Sequence, residues 1–283
     1  MNQFYLFAVF YYFLAGIAIG LGLHRMLAHR AFVLPKWLEY LIITLSLPAG
    51  TPIQWVGTHR FHHQNTERAS DPHSPHISGF WYAHVGWYLG TANRAICILY
   101  ALAGPVRTLF DSVWRPRTNQ EYTDLAKDIS NDPYYRWVSR PGPYALMVWL
   151  HLTCVFGIAY AYAGWKGAMI VWGELMVIYN VCDAVDSIGH LQGNKPYRQD
   201  NESRNNGILA WLTLGEGWHA NHHAFPRSAK HGLLNGQFDW TWQVIRALRL
   251  LRLARNVWLP REEDIRAYET VKPEAFLVVS TIS

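Results

Sequence analysis

Residues 4–23 (FYLFAVFYYFLAGIAIGLGL) run for 20 residues without a charge. At about 1.5 Å per residue such a helix is about 30 Å long, the thickness of a bilayer's hydrocarbon core. A secretory signal peptide would need a basic segment before the apolar run and a small-residue cleavage site after it. Nothing basic precedes this run, and His24 follows it directly. The chain is therefore expected to enter a membrane.

Two more runs fit this expectation. Residues 144–164 carry no charge, and residues 168–189 are interrupted by Glu174, Asp183 and Asp186. The short link Trp165-Lys166-Gly167 makes them a tight helical hairpin. Leu38–Gly50 is apolar but too short to cross, so it reads as an interfacial or re-entrant helix. The expected architecture is an all-α integral membrane protein, a single domain over 1–283. It has about three transmembrane helices, an interfacial helix and a helical cap over 24–143 and 190–283.

Charge supports one orientation. Lys and Arg number none in residues 1–23, 12 in 24–143, one in 165–167 and 12 in 190–283. Nearly all basic residues fall on one side, which the positive-inside rule assigns to the cytoplasm. The net charge of +5 thus needs no nucleic acid partner. The stretch Trp242–Val257 spaces Arg246, Arg249, Arg252 and Arg255 among leucines. It reads as a basic amphipathic helix on an anionic membrane surface, or as a solvated helix packed on the domain. Cys97, Cys154 and Cys182 fit no metal or redox spacing and read as packing residues.

Nine of the 14 histidines fall in four groups on the expected cytoplasmic side. His24 and His29 lie in HRMLAHR. His59, His62 and His63 lie in HRFHH. His190 ends the last apolar run. His219, His222 and His223 lie in HANHH. Spacing i, i+3, i+4 places three imidazoles on one helix face. His24 and His29 converge only if the helix ends or distorts between them. Nine crowded imidazoles destabilise a fold once protonated, and a metal requires the neutral form. Nine ligands exceed one coordination sphere and suit two metals. Zinc, copper, iron and nickel all remain open on imidazole alone.

The sequence resembles the membrane-bound fatty-acyl desaturases of Δ9 type, the group of stearoyl-CoA and cyanobacterial acyl-lipid desaturases. The likeness runs through HRMLAHR, PKWLEY, WVGTHRFHHQNTERASDPHSP, GFWYAHVGW, SIGHLQGNKPY and GEGWHANHHAFPRSAKHG. It implies two irons held by the nine histidines, O2 as co-substrate, and removal of two hydrogens from a saturated acyl chain in a bent tunnel. It also implies an external electron donor, ferredoxin or cytochrome b5-like, since no HPGG-type haem motif or cysteine cluster is present. The acyl group could ride on lipid, CoA or a carrier protein.

Two departures stand out. The family usually has two spans before the first histidine group, and here 23 residues precede His24. The family usually has Asn four residues before the histidine ending the last span, and here that residue is Asp186. Asp186 either ligates a metal, directly or through water, or serves as a hydrogen-bonding substitute. Tyr12, Trp81 and Trp87 are candidate acyl contacts, with core packing as the plainer reading of the two tryptophans. Tyr11, Tyr12 and Phe13 form a candidate tunnel floor. His73, His76, His84, His151 and His231 match no ligand position and read as structural or head-group contacts. A hydroxylase or acetylenase on the same scaffold is the enzymatic alternative, and a membrane metal-binding protein the non-enzymatic one.

Overall fold

A computed structural model describes residues 2–114 and 120–269. The rest of the expected single domain lies outside the described residues. The fold is helical, and the β-pairing among the described residues consists of isolated bridges. Among the described residues, two helices are long and apolar enough to cross a membrane. The first, α1 (Asn2–Ile17), continues as a π-helix over Ala18–Ala28. Helices α2 (Lys36–Ser46) and α3 (Pro52–Asn65) follow. Then come α4 (Arg94–Leu102) and α5 (Pro105–Trp114). The long α6 (Pro141–Leu191) precedes α7 (Gly207–Leu212), α8 (His219–Ala224) and α9 (Trp240–Leu250).

The 51 residues of α6 form a hairpin, as the sequence predicts, but the break falls at Ala163–Gly164 rather than at 165–167. Gly164 has φ +57°, a conformation glycine adopts without steric cost. The rings of Phe156 and Trp172 lie 6.5 Å apart. In a straight helix their 16-residue separation would span about 24 Å. Gly167 packs on the Ala159 carbonyl so closely that a Cβ would collide with it.

A third candidate span was not read from the sequence. Helices α4 and α5 are bent by 111° about Ala103–Gly104. Arg107 and Asp111 interrupt the stretch, although an 18-residue window across the pair is still apolar enough for a span. Leu99, Leu102, Val106 and Phe110 face outward, while Arg107, Thr108, Asp111 and Ser112 are buried. The Arg107 guanidinium pairs with Asp183 on α6. It lies against the rings of Tyr88, Tyr100 and Tyr179. An unpaired guanidinium would be costly at this position, and the Asp183 carboxylate offsets that cost.

Helix α2 has 11 residues, about 16 Å at the usual rise, too short to cross a bilayer. It packs on the π-helix, with Ile43 joining Leu21, Leu23 and Met26 in one apolar core. A second core joins Phe4 and Tyr11 of α1 to Val148, Leu152, Leu175 and Ile178 of α6. The basic helix is shorter than expected: α9 ends at Leu250, and Arg255 pairs with Val33 in a β-bridge. Trp242 and Ile245 bury its inner face in the first core, and Arg246, Arg249, Arg252 and Arg255 remain exposed. Of the cysteines, Cys97 is buried, Cys182 partly buried and Cys154 exposed.

Candidate metal centre

The π-helix explains how residues five apart share a face. Its hydrogen bonds run i to i+5, and the His29 amide donates to the His24 carbonyl at 3.1 Å. The two rings then lie 5.0 Å apart. Helix α3 places His59, His62 and His63 beside them, and α8 places His219, His222 and His223. His190 arrives at the end of α6.

All nine histidines meet. His24, His29, His59 and His222 form one cluster, and His62, His190, His219 and His223 a second. His63 joins them, grouping with His222 and His223. Imidazole nitrogens face one another at short range. The Nε2–Nε2 separations are 2.8 Å for His29–His59 and for His63–His222, 3.1 Å for His24–His222 and 3.0 Å for His190–His219.

Carboxylates stand behind the rings. The Nδ1 of His24 meets Glu216, that of His62 meets Asp71 at 2.9 Å, and that of His190 meets Glu67 at 3.1 Å. A carboxylate accepts, so each Nδ1 carries the proton and each Nε2 presents a lone pair inward; the tautomers follow from this network. Such carboxylate–imidazole pairs orient metal ligands. Buried nitrogens without a hydrogen-bond partner, among them His62 Nε2, His219 Nδ1 and His222 Nδ1, mark unmet coordination or bonding capacity. Converging lone pairs repel, and a cation in each cluster would relieve that repulsion. The donor set thus fits two metal ions.

Burial first, then the charge neighbouring imidazoles would carry, holds His29, His59, His63, His219, His222 and His223 well below the ordinary histidine value. These rings are neutral at pH 7, the form that ligates.

Sequence reasoning assigned no role to Glu67, Asp71 or Glu216, although each lies in a quoted motif. Glu216 is the hub of a buried network. Arg25 donates to Glu216 at 2.7 and 3.1 Å and to Asp239 at 2.9 and 3.1 Å. His231 Nδ1 lies 3.3 Å from Glu216, and its ring lies 4.7 Å from that of His222. Burial pushes His231 down to about 4. The other histidines outside the nine brace neighbouring elements. The His73 ring stacks on His62 at 4.4 Å, and His76 Nε2 meets the His190 carbonyl at 3.0 Å. His84 meets Ser187 and Asn180, and His151 meets the Tyr11 hydroxyl.

A cavity of 140 Å³ runs from His24, His59, His62 and His219 into the helices. Tyr11, Tyr12, Gly16, Leu175, Ile178 and Leu212 are among its walls. Asp186 lines it too, and belongs to none of the ligand-spaced clusters among the described residues. Trp87 lines a smaller adjoining cavity of 60 Å³. Trp81 lines neither, packing instead against the cluster of Val85, Cys97 and Tyr100. Phe13 turns away to the Trp240 ring. Three basic residues hold carboxylates: Lys36 pairs with Glu39 and Asp132, Arg60 with Asp128, and Lys195 with Glu202.

The chain is 39% identical over 259 residues to a probable lipid desaturase, ADS3.2, of Arabidopsis thaliana, covering 90% of this chain and 63% of that protein. It is 37% identical to an acyl-CoA C20 Delta5-desaturase of Anemone leveillei, covering 86% and 69%. It is 34% identical to an sn-1 stearoyl-lipid 9-desaturase of Anabaena variabilis, covering 88% and 81%. The family model described as fatty acid desaturase matches residues 3–261. With its histidine clusters set over an apolar-walled cavity, the chain belongs to the fatty acid desaturase family.

Proposed function

We propose that this chain is an oxygen-dependent di-iron desaturase that converts a CH2–CH2 unit of a saturated acyl chain to an alkene, Δ9-like by resemblance. One observation carries this reading: nine histidines from four segments converge, eight in two clusters and His63 between them, at the head of a cavity with largely apolar walls. The nine histidines are the proposed ligands. Two bound irons would supply oxidising power, O2 taking two hydrogens from the substrate plus two external electrons and two protons to give two waters. The protein's share is positioning and exclusion of water. Glu67, Asp71 and Glu216 fix ring orientation, and the cavity holds the chain against the cluster. Asp186, one turn before His190, acts through a water or a hydrogen bond.

The acyl group is carried on lipid, CoA or a carrier protein, and a ferredoxin or cytochrome b5-like protein delivers electrons. The protein is multi-pass, with the metal centre on the cytoplasmic side and the N-terminus outside. A periplasm-active reporter fused at residue 1 is expected to be active, and silence there with activity at Ser283 would reverse the topology.

The deciding experiment is expression in a host lacking desaturases, followed by mass spectrometry of its fatty acids. New alkenes are expected. Alcohols or alkynes would assign a hydroxylase or acetylenase, and unchanged fatty acids with metal bound would favour a metal-binding protein.

Two further outcomes follow. The depressed histidines take up protons more readily unfolded than folded, so stability is full above roughly pH 6.5 and falls as pH drops below it. Each such group costs up to about 1.4 kcal/mol per pH unit. Thermal stability and iron content of the purified protein are expected to fall together between about pH 6.5 and 5. A flat profile there would contradict neutral imidazole ligation. Tyr11, buried and tied to His151 at 3.0 Å, supplies the cavity floor. Tyr11→Ala is expected to shift products toward longer chains, and an unchanged product profile would place the length limit elsewhere.

A further inference from the structure

Residues 207–215 (GILAWLTLG) carry no charge, although they sit between polar segments. They form α7 and the turn after it. This segment lies along α1 in a fixed register. The Tyr12 hydroxyl donates to the Leu212 carbonyl at 2.5 Å. A Cβ on Gly16 would come within 2.8 Å of Leu214, and one on Gly20 within 2.8 Å of Glu216. Phe13 meets Trp240 edge to face at 5.4 Å. From Glu216 beside His24, the segment therefore descends along the first membrane helix to the level of Tyr12. Twelve residues separate Tyr12 from His24, at most about 18 Å along the axis. That depth is near the middle of a hydrocarbon core roughly 30 Å thick.

Both faces of the segment suit that depth. Ile208 is 77% exposed, Trp211 59% and Leu212 46%. Its backbone is also provided for, as lipid requires. The carbonyl of Leu209 accepts from Thr213, that of Ala210 from Gly215, that of Leu212 from Tyr12 and that of Leu214 from Thr241. Leu212 and Thr213 also line the cavity beneath the histidines, beside Tyr12, Ala15 and Gly16. One strip of chain thus separates the cavity from the bilayer, with an exposed apolar lip at Leu212.

We propose that α7 is immersed in the bilayer and that the seam between Tyr12–Gly16 and Leu212 is a lateral portal, through which an acyl chain still attached to a membrane lipid enters the cavity. This rests on the desaturase reading above and narrows it to a lipid-linked substrate. Tyr12 acts as the latch, its ring on the cavity wall and its hydroxyl on the far lip.

Two measurements on the full chain in nanodiscs of 1-stearoyl phosphatidylcholine test this. The first needs no activity. A spin label on Ile208→Cys, with Cys97, Cys154 and Cys182 changed to Ala, is compared with labels at Val9 on α1 and Arg261 in the polar tail. The 208 label is expected to match position 9, accessible to O2 and shielded from a water-soluble nickel chelate. Matching position 261 overturns immersion. The second, run with O2 and a reduced ferredoxin supplied as electron source, compares conversion of the bilayer lipid with that of added stearoyl-CoA. Leu212→Glu is expected to lower lipid conversion at least tenfold with iron content retained. If that variant loses iron, Ile208→Glu, on the outer face, replaces it. Undiminished lipid conversion in the iron-loaded variant, or preference of the wild type for stearoyl-CoA, overturns the portal. A wild type that converts neither substrate counts against the desaturase reading, and the label still decides where α7 lies.

Discussion

His63→Ala is expected to lower turnover by roughly three orders of magnitude or more, about 4 kcal/mol of barrier, and to reduce bound iron. His63 stands where the two clusters meet. Its Nε2 lies 2.8 Å from that of His222 and 3.1 Å from that of His59, and its ring stacks on His223 at 4.4 Å. Alanine removes a donor nitrogen that no neighbour replaces, since the flanking rings face their own clusters. The same outcome is expected at His59, His219 and His223. The apolar contacts of α3 with the π-helix lie on other residues, so the membrane-embedded fold is expected to persist. Product analysis and iron per chain by mass spectrometry check this together. Ordinary product formation by His63→Ala would remove these histidines from the metal centre.

The spacing of HRFHH and HANHH made the histidine centre legible, because i, i+3, i+4 has one geometric meaning on a helix. HRMLAHR was legible only in part. Five-residue spacing demanded a distortion, and the π-helix over Ala18–Ala28 is that distortion. No local signal names a π-turn, since its cost is met by tertiary contacts such as Gly22 against Ile42 and Ile43. The carboxylates behind the rings were harder to see. Glu67 reaches His190 across 123 positions, and Glu216 reaches His24 across 192. Pairings of that range follow from the assembled fold, not from spacing. The α4–α5 pair escaped for another reason: Arg107 and Asp111 look like surface charges until Asp183 and Tyr100 are found beside them. Hydropathy likewise hid α7, too short for a span and evident only from its register on α1.

Arg25→Met is expected to destabilise the protein by about 3–5 kcal/mol, because it leaves two buried carboxylates without their cation. Arg25 is fully buried, and its guanidinium joins Glu216, Asp239 and the Ala229 carbonyl. Burial works to raise Glu216, but Arg25, His231 and His24 outweigh it and hold this carboxyl well below the usual carboxylate range. Without Arg25 that balance reverses. Glu216 then takes up a proton, and its neutral form no longer holds the His24 ring as the carboxylate does. Asp239 loses its partner as well, although it also caps α9 and accepts from the His231 amide. Methionine fills similar volume, so the loss reports charge rather than a cavity. For a chain of this size the melting midpoint is expected to fall by about 5–8 °C. Glu216→Gln tests the other half. It keeps a hydrogen-bonding side chain but not the charge, and metal affinity is expected to fall about 10- to 100-fold with a smaller loss of stability. Thermal unfolding in detergent and iron titration separate the two effects. An unchanged midpoint in Arg25→Met would show that the network orients His24 without holding the fold together.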